Sequence, residues 1–117
     1  MHEIVSEQGN LIRVDVSGKL TKQDYEKLIP AWDALIAREG SMRMLLVMQD
    51  FHGWEPTAAW DDLRFGMKRA SKIERVAMVG DKFWQKCLAK VGALLATEKV
   101  KYFAASDLAA AGQWVRE

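Results

Sequence analysis

Cysteine is almost missing from this chain. Cys87 stands alone, so no internal disulfide can form. That usage fits a reducing compartment. Histidine is nearly as scarce. His2 and His52 are the only two, and neither has the carboxylate–histidine spacing of a metal ligand set, so no metal site and no cofactor are expected. A glycine-rich phosphate loop is lacking too, since Gly80-Asp81-Lys82 holds only the one glycine of an ordinary turn. Charge of one sign is not in excess. Lys and Arg number 17 against 16 Asp and Glu, for a net charge of +1 with the signs well mixed. No long basic run exists, which argues against nucleic acid as a partner. Long apolar runs are absent as well: the longest, Met44 to Met48, is far too short to span a bilayer. Met1-His2-Glu3-Ile4 has neither the basic segment nor the apolar core of a signal peptide. The expected location is cytoplasmic.

What remains is ordinary globular composition, 50% hydrophobic and 28% charged over 117 residues. That length suits a single domain spanning 1–117, which buries roughly two-thirds of its unfolded surface and needs no disulfide or metal to fold. Five tryptophans are many for this length.

Periodicity sets out the elements. His2 to Glu7 reads as a strand, Gly9-Asn10 as a turn, and Leu11 to Val16 as a second strand that Gly18 closes. In the second strand Ile12, Val14 and Val16 share one side, and Arg13 and Asp15 the other. Thr21 with Asp24 approaches a capping box at the start of a helix. Tyr25, Leu28, Ile29, Trp32, Leu35 and Ile36 make that helix's apolar face. Pro30 removes one backbone donor within it, and Gly40 ends it. Met42 to Met48 reads as a strand buried on both faces, and Asp50 to Pro56 as a loop. Thr57 caps a helix running to about Ala70. Its inward stripe is Ala59, Leu63, Gly66, Met67 and Ala70, with Trp60 at the margin and Phe65 off the stripe. Ile73 to Val79 is the next strand. Asp81 then caps a helix bearing Trp84, Cys87, Leu88, Val91, Leu94 and Leu95. Val100 to Phe103 is the last strand, and Ser106 caps a terminal helix holding Leu108, Ala111, Trp114 and Val115. The order β-β-α-β-α-β-α-β-α implies an α/β fold with a mixed, mainly parallel five-stranded sheet and helices packed on it.

This order is that of the STAS-type folds, and particular residues make the chain resemble the SpoIIAA-like family along almost its whole length. They are Gly18-Lys19-Leu20-Thr21 with Asp24-Tyr25, Pro30, Asp50-Phe51-His52-Gly53-Trp54, and Trp60. Ile73 to Asp81 with Trp84, and Tyr102-Phe103 with Trp114, complete the set. The resemblance implies a non-enzymatic binding or regulatory module. It also implies an apolar small molecule or lipid as ligand, or peripheral contact with the inner membrane surface. In phospho-switched STAS proteins an Asp-Ser pair begins the helix after the central strand. Here Glu55-Pro56-Thr57-Ala58 stands in its place, leaving Thr57 as the one candidate phosphorylation site.

The candidate ligand or membrane site is Phe51, His52, Trp54, Trp60, Leu63, Phe65 and Met67, an unusual density of rings for a loop and one amphipathic helix. If exposed, they form a binding patch or a lid over a pocket. The alternatives are rings folded back on the core and a homodimer interface covering them. Lys68, Arg69 and Lys72 would favour an anionic lipid surface or simply cap a helix end. Asp50 and His52 would serve as an acid–base pair if an enzyme were hidden here. The alternative function is a protein-interaction regulator of the anti-sigma antagonist type, switched at Thr57.

Overall fold

The computed structural model describes residues 1–57, 64–65, 68–81 and 99–117. The elements are β1 (His2–Gln8), β2 (Leu11–Leu20), α1 (Lys22–Glu39), β3 (Met42–Trp54), β4 (Ile73–Gly80), β5 (Val100–Ala104) and α2 (Leu108–Arg116). They form one mixed sheet in the order β1-β2-β3-β4-β5. β1 pairs antiparallel with β2, and the other neighbours are parallel. The helix expected from Thr57 to Ala70 is described only in part: residues 56–57, 64–65 and 68–69 are helical, and Ala70–Lys72 is a 3-10 turn. The helix expected after Asp81, with Trp84 and Cys87, lies outside the described residues.

Two cores sandwich the sheet. On one face Ile12, Val14 and Val16 of β2 meet Tyr25, Leu28, Trp32 and Leu35 of α1, along with Met42, Leu46 and Met48 of β3. On the other face Leu11, Leu45, Val47, Ala77 and Val79 meet Ala111 and Val115 of α2. β3 contributes to both, as its apolar run requires. Strand order follows chain order, so right-handed crossovers put the β2–β3 and β3–β4 connections on the same face. Phe65, from the second connection, duly joins the α1 core. α2 follows the last strand, is not a crossover, and takes the opposite face.

α1 begins as its sequence directs. The Thr21 hydroxyl accepts from the Asp24 backbone N–H at 3.2 Å, and the Asp24 carboxylate accepts from the Thr21 backbone N–H at 2.8 Å. The helix runs through Pro30 and ends at Gly40, whose φ of 84° lets its N–H reach the Ile36 carbonyl. The same carboxylate ties down β1. It accepts from the Met1 ammonium at 3.1 Å and lies 2.6 Å from His2 Nδ1.

α2 starts differently from its sequence expectation. Ser106 sits within the 3-10 turn Ala105–Asp107, Asp107 occupies the cap position, and no side chain caps the helix. Its other end is held from outside. Arg43 and Arg75, register partners on β3 and β4, donate to the Val115 and Trp114 carbonyls, each at 2.8 Å. Arg75 also stacks on the Trp114 ring, 4.8 Å from its centroid. These cations meet carbonyls that a helix C-terminus leaves open.

Burial alone would push the Asp24 carboxyl up. The Thr21 backbone N–H, His2, the N-terminal ammonium and the Thr21 hydroxyl outweigh it and hold the group well below the usual carboxylate range. A carboxyl depressed in the folded state stabilises the fold above its unfolded pKa and loses that contribution as pH falls through the folded one. Asp24→Asn should therefore cost about 2 kcal/mol at pH 7. The gap from wild type should narrow below about pH 4. Urea unfolding of both proteins at pH 7, 5 and 3 checks this, and a pH-independent gap contradicts it.

Candidate functional site

In open α/β sheets ligands sit beyond the carboxyl ends of the strands. That end of this sheet is irregular. The β2–β3 register runs Val16↔Met48, then Gly18↔Phe51, then Lys19↔Gly53, so β3 gains an extra residue at each step. Both strands accommodate this with left-handed backbone. Gly18 has φ 58°, Asp50 φ 48° and Gly53 φ 108°. Glycine adopts such angles without steric cost, and Asp tolerates them better than most residues. β2 therefore does not close at Gly18 but continues to Leu20. β3 does not give way to a loop at Asp50 but continues to Trp54.

The bulge reverses side-chain alternation. Met48 and Phe51 are three apart yet join the same α1-side core, Phe51 with 6% of its surface exposed. His52 and Asp50 are exposed, and Gly53 is buried. No hydrogen bond joins Asp50 to His52 among the described residues, so the acid–base pair is not assembled. Trp54 ends β3, and only its backbone is described. Beside these residues Gly80 must stay small: a Cβ there would lie 2.5 Å from the Tyr102 hydroxyl and 3.2 Å from the Met48 methyl. The Tyr102 hydroxyl donates to the Asp81 carbonyl at 3.1 Å.

The segment after β3 departs from the helix that periodicity suggests. Pro56 and Thr57 are already helical, so Glu55 holds the cap position and Thr57 lies exposed in the first turn. Proline suits the first helical position, where its missing N–H loses no bond. Phe65, placed off the inward stripe by sequence, is 5% exposed and packs on Trp32 with ring centroids 4.9 Å apart. Ala70, placed on the stripe, is exposed. Of the described residues, Phe65 rather than Ala70 meets α1. Arg69 adds to this contact. Its guanidinium lies 4.5 Å from the Phe65 ring centroid and forks onto both Asp33 carboxylate oxygens, one at 2.9 Å. It is engaged with α1 rather than presented to a lipid surface, while Lys68 and Lys72 are exposed. Trp60, Leu63 and Met67 lie outside the described residues.

One feature carried no sequence signal. Trp32 is 2% exposed, and its indole N–H has no hydrogen-bond partner among the described residues. Tyr25 packs edge-on against it, with centroids 6.1 Å apart. A cleft of about 400 Å³ lies at the opposite end of the sheet, lined by Gln8, Asn10, Leu11, Arg43, Glu74 and Arg116. Its charges are mutually engaged. Arg43 donates to Glu74 at 2.7 Å, and with Asn10 holds that carboxyl below its ordinary range. Among the described residues no group of His, Cys, Asp or Glu could hold a metal ion, and no helix is long and apolar enough to cross a membrane.

A family model described as SpoIIAA-like matches residues 11–116. The chain belongs to the SpoIIAA-like family. A crystal structure of an uncharacterized protein of the DUF3478 family from Shewanella loihica PV-4, described as having a SpoIIAA-like fold, is 27% identical. It superposes with a TM-score of 0.77 over 98% of this chain and 92% of that one. A search of curated proteins finds no match. The SpoIIAA-like fold is thus shared with that protein.

Burial separates two residues proposed for one site. Phe65→Ala should destabilise the fold by about 3–5 kcal/mol, whereas His52→Ala should change stability by less than about 0.5 kcal/mol. Chemical denaturation of both variants checks the contrast, and a mild Phe65→Ala would place that ring outside the core.

Proposed function

We propose that this SpoIIAA-like domain is a non-enzymatic module that binds an apolar small molecule between α1 and the helical segment after β3. The packing of Phe65 on Trp32 carries this reading. Phe65 of that segment lies against the α1-side core, with a polar margin at Arg69 and Asp33. An enclosed ligand is favoured over a membrane surface, because Phe51 and Phe65 are buried rather than presented outward. A ligand that binds only the folded state stabilises it by about 2.7 kcal/mol at a hundredfold excess over Kd. For a domain of this size that raises Tm by roughly 10 °C or more. Thermal unfolding against a panel of fatty acids, sterols and lysolipids, read with tryptophan fluorescence, checks this. At least one member should raise Tm in solution while anionic vesicles leave the protein unbound. A panel without effect sinks the reading, and partition into vesicles would restore the membrane surface.

One observation favours the second reading, a protein-interaction regulator switched by phosphorylation. Thr57 is exposed in the first turn of its helix, where added negative charge is electrostatically favoured. Intact mass of the protein from its native host should then show an added phosphate that Thr57→Ala removes.

A further inference from the structure

A buried donor without an acceptor is rare in folded proteins and costs about 1–3 kcal/mol. Trp32 Nε1 is such a donor among the described residues. Its neighbours do not relieve it. Phe65 has no acceptor atom, and no hydrogen bond joins the indole N–H to the Tyr25 hydroxyl, so the two rings give it at most a weak N–H···π contact. Trp32 also stands where the two halves of the proposed binding layer meet. It lies on the buried face of α1, against the one described ring of the covering segment, and next in sequence to Asp33, which holds Arg69. The cation of Arg69 rests on the same Phe65 ring that touches Trp32.

We propose that the Trp32 indole N–H is the polar anchor of the ligand, donating to a carboxylate oxygen at the head of a long-chain fatty acid. This rests on the apolar-ligand reading and adds the recognised group to it. An apolar site needs few polar contacts, but those it has fix orientation. One indole N–H suits that task because it donates and never accepts. It therefore favours an oxygen acceptor and offers nothing to a hydrocarbon alone. Arg69 makes an anionic head preferable to a neutral one. Its charge lies beside the cluster and is shared with Asp33, whose side chain is 44% exposed.

The test uses the full chain and oleate, added below its micelle-forming concentration. Five tryptophans give five indole N–H signals, and Trp32→Phe removes one and so assigns it. Without oleate the Trp32 signal should sit upfield, as for a donor without an acceptor. Oleate should move it downfield and leave the other four less affected. Trp32→Phe keeps a ring but deletes the donor, and should weaken oleate binding about tenfold, the value of one bond to a charged acceptor. Oleyl alcohol should bind the wild type more weakly than oleate. If oleate binds wild type and variant equally and the Trp32 signal stays put, this anchor is overturned while the apolar-ligand reading stands. If oleate and the wider lipid panel bind neither protein, both fall. Should the variant fail to fold, backbone-linked assignment of the wild-type indole signal carries the same decision.

Discussion

A strand buried on both faces must find an apolar partner for every side chain it carries, and β3 is that strand here. Leu45 and Val47 face α2, while Met42, Leu46 and Met48 face α1. It supplies buried residues to both cores. Arg43 is the exception inside its run, and its position explains it. It lies at the strand's amino end, where its guanidinium escapes the core to reach Glu74 and the last turn of α2. One polar residue in an apolar strand thus becomes the fastening for a helix. Beyond Met48 the strand has to leave the two-sided environment, and the bulge at Asp50 accomplishes this. By inserting residues it turns Phe51 back into the α1 core and releases Asp50 and His52 to solvent.

Much of this was legible in the chain, for identifiable reasons. The hairpin, the Thr21–Asp24 cap, the α1 stripe and the doubly buried strand rest on local chemistry, where spacing and propensity agree. The bulge was not legible, because period-two alternation is the signal for a strand and a bulge cancels that signal. Asp50 to Trp54 therefore looked like a loop rich in rings. Phe65 was misplaced for a related reason. A helical stripe drawn from small and aliphatic residues cannot anticipate that a ring beside it will find Trp32 on another helix. The Arg43–Arg75 clamp needs parallel register between residues 32 apart, which no linear pattern carries. The family residues, by contrast, pointed to the right fold, since Gly18, Asp50 and Gly53 mark the positions where left-handed backbone is needed.

Burial of Phe51 and Phe65 takes these two rings out of any outward-facing aromatic surface. Phe65 is covered by Trp32 of α1, and Phe51 joins the same α1-side core.

Among the described residues, α2 and the segment over α1 are fastened by different contacts. α2 is held by two arginines donating to backbone carbonyls, by stacking of Arg75 on Trp114, and by Ala111 and Val115, which have no exposed surface. Charge-assisted bonds of this kind contribute about 1.5–3 kcal/mol each. The described part of the segment over α1 is held by one ring and one ion pair. That pair is 27% exposed on its arginine and 44% on its aspartate, and partly exposed pairs are worth about 0–1 kcal/mol. It covers a tryptophan whose N–H is unsatisfied, so closing it recovers less than a fully bonded interface would. Of these two sets of described contacts, the one over α1 is the weaker. The α2 face would have to surrender its helix C-terminus to open.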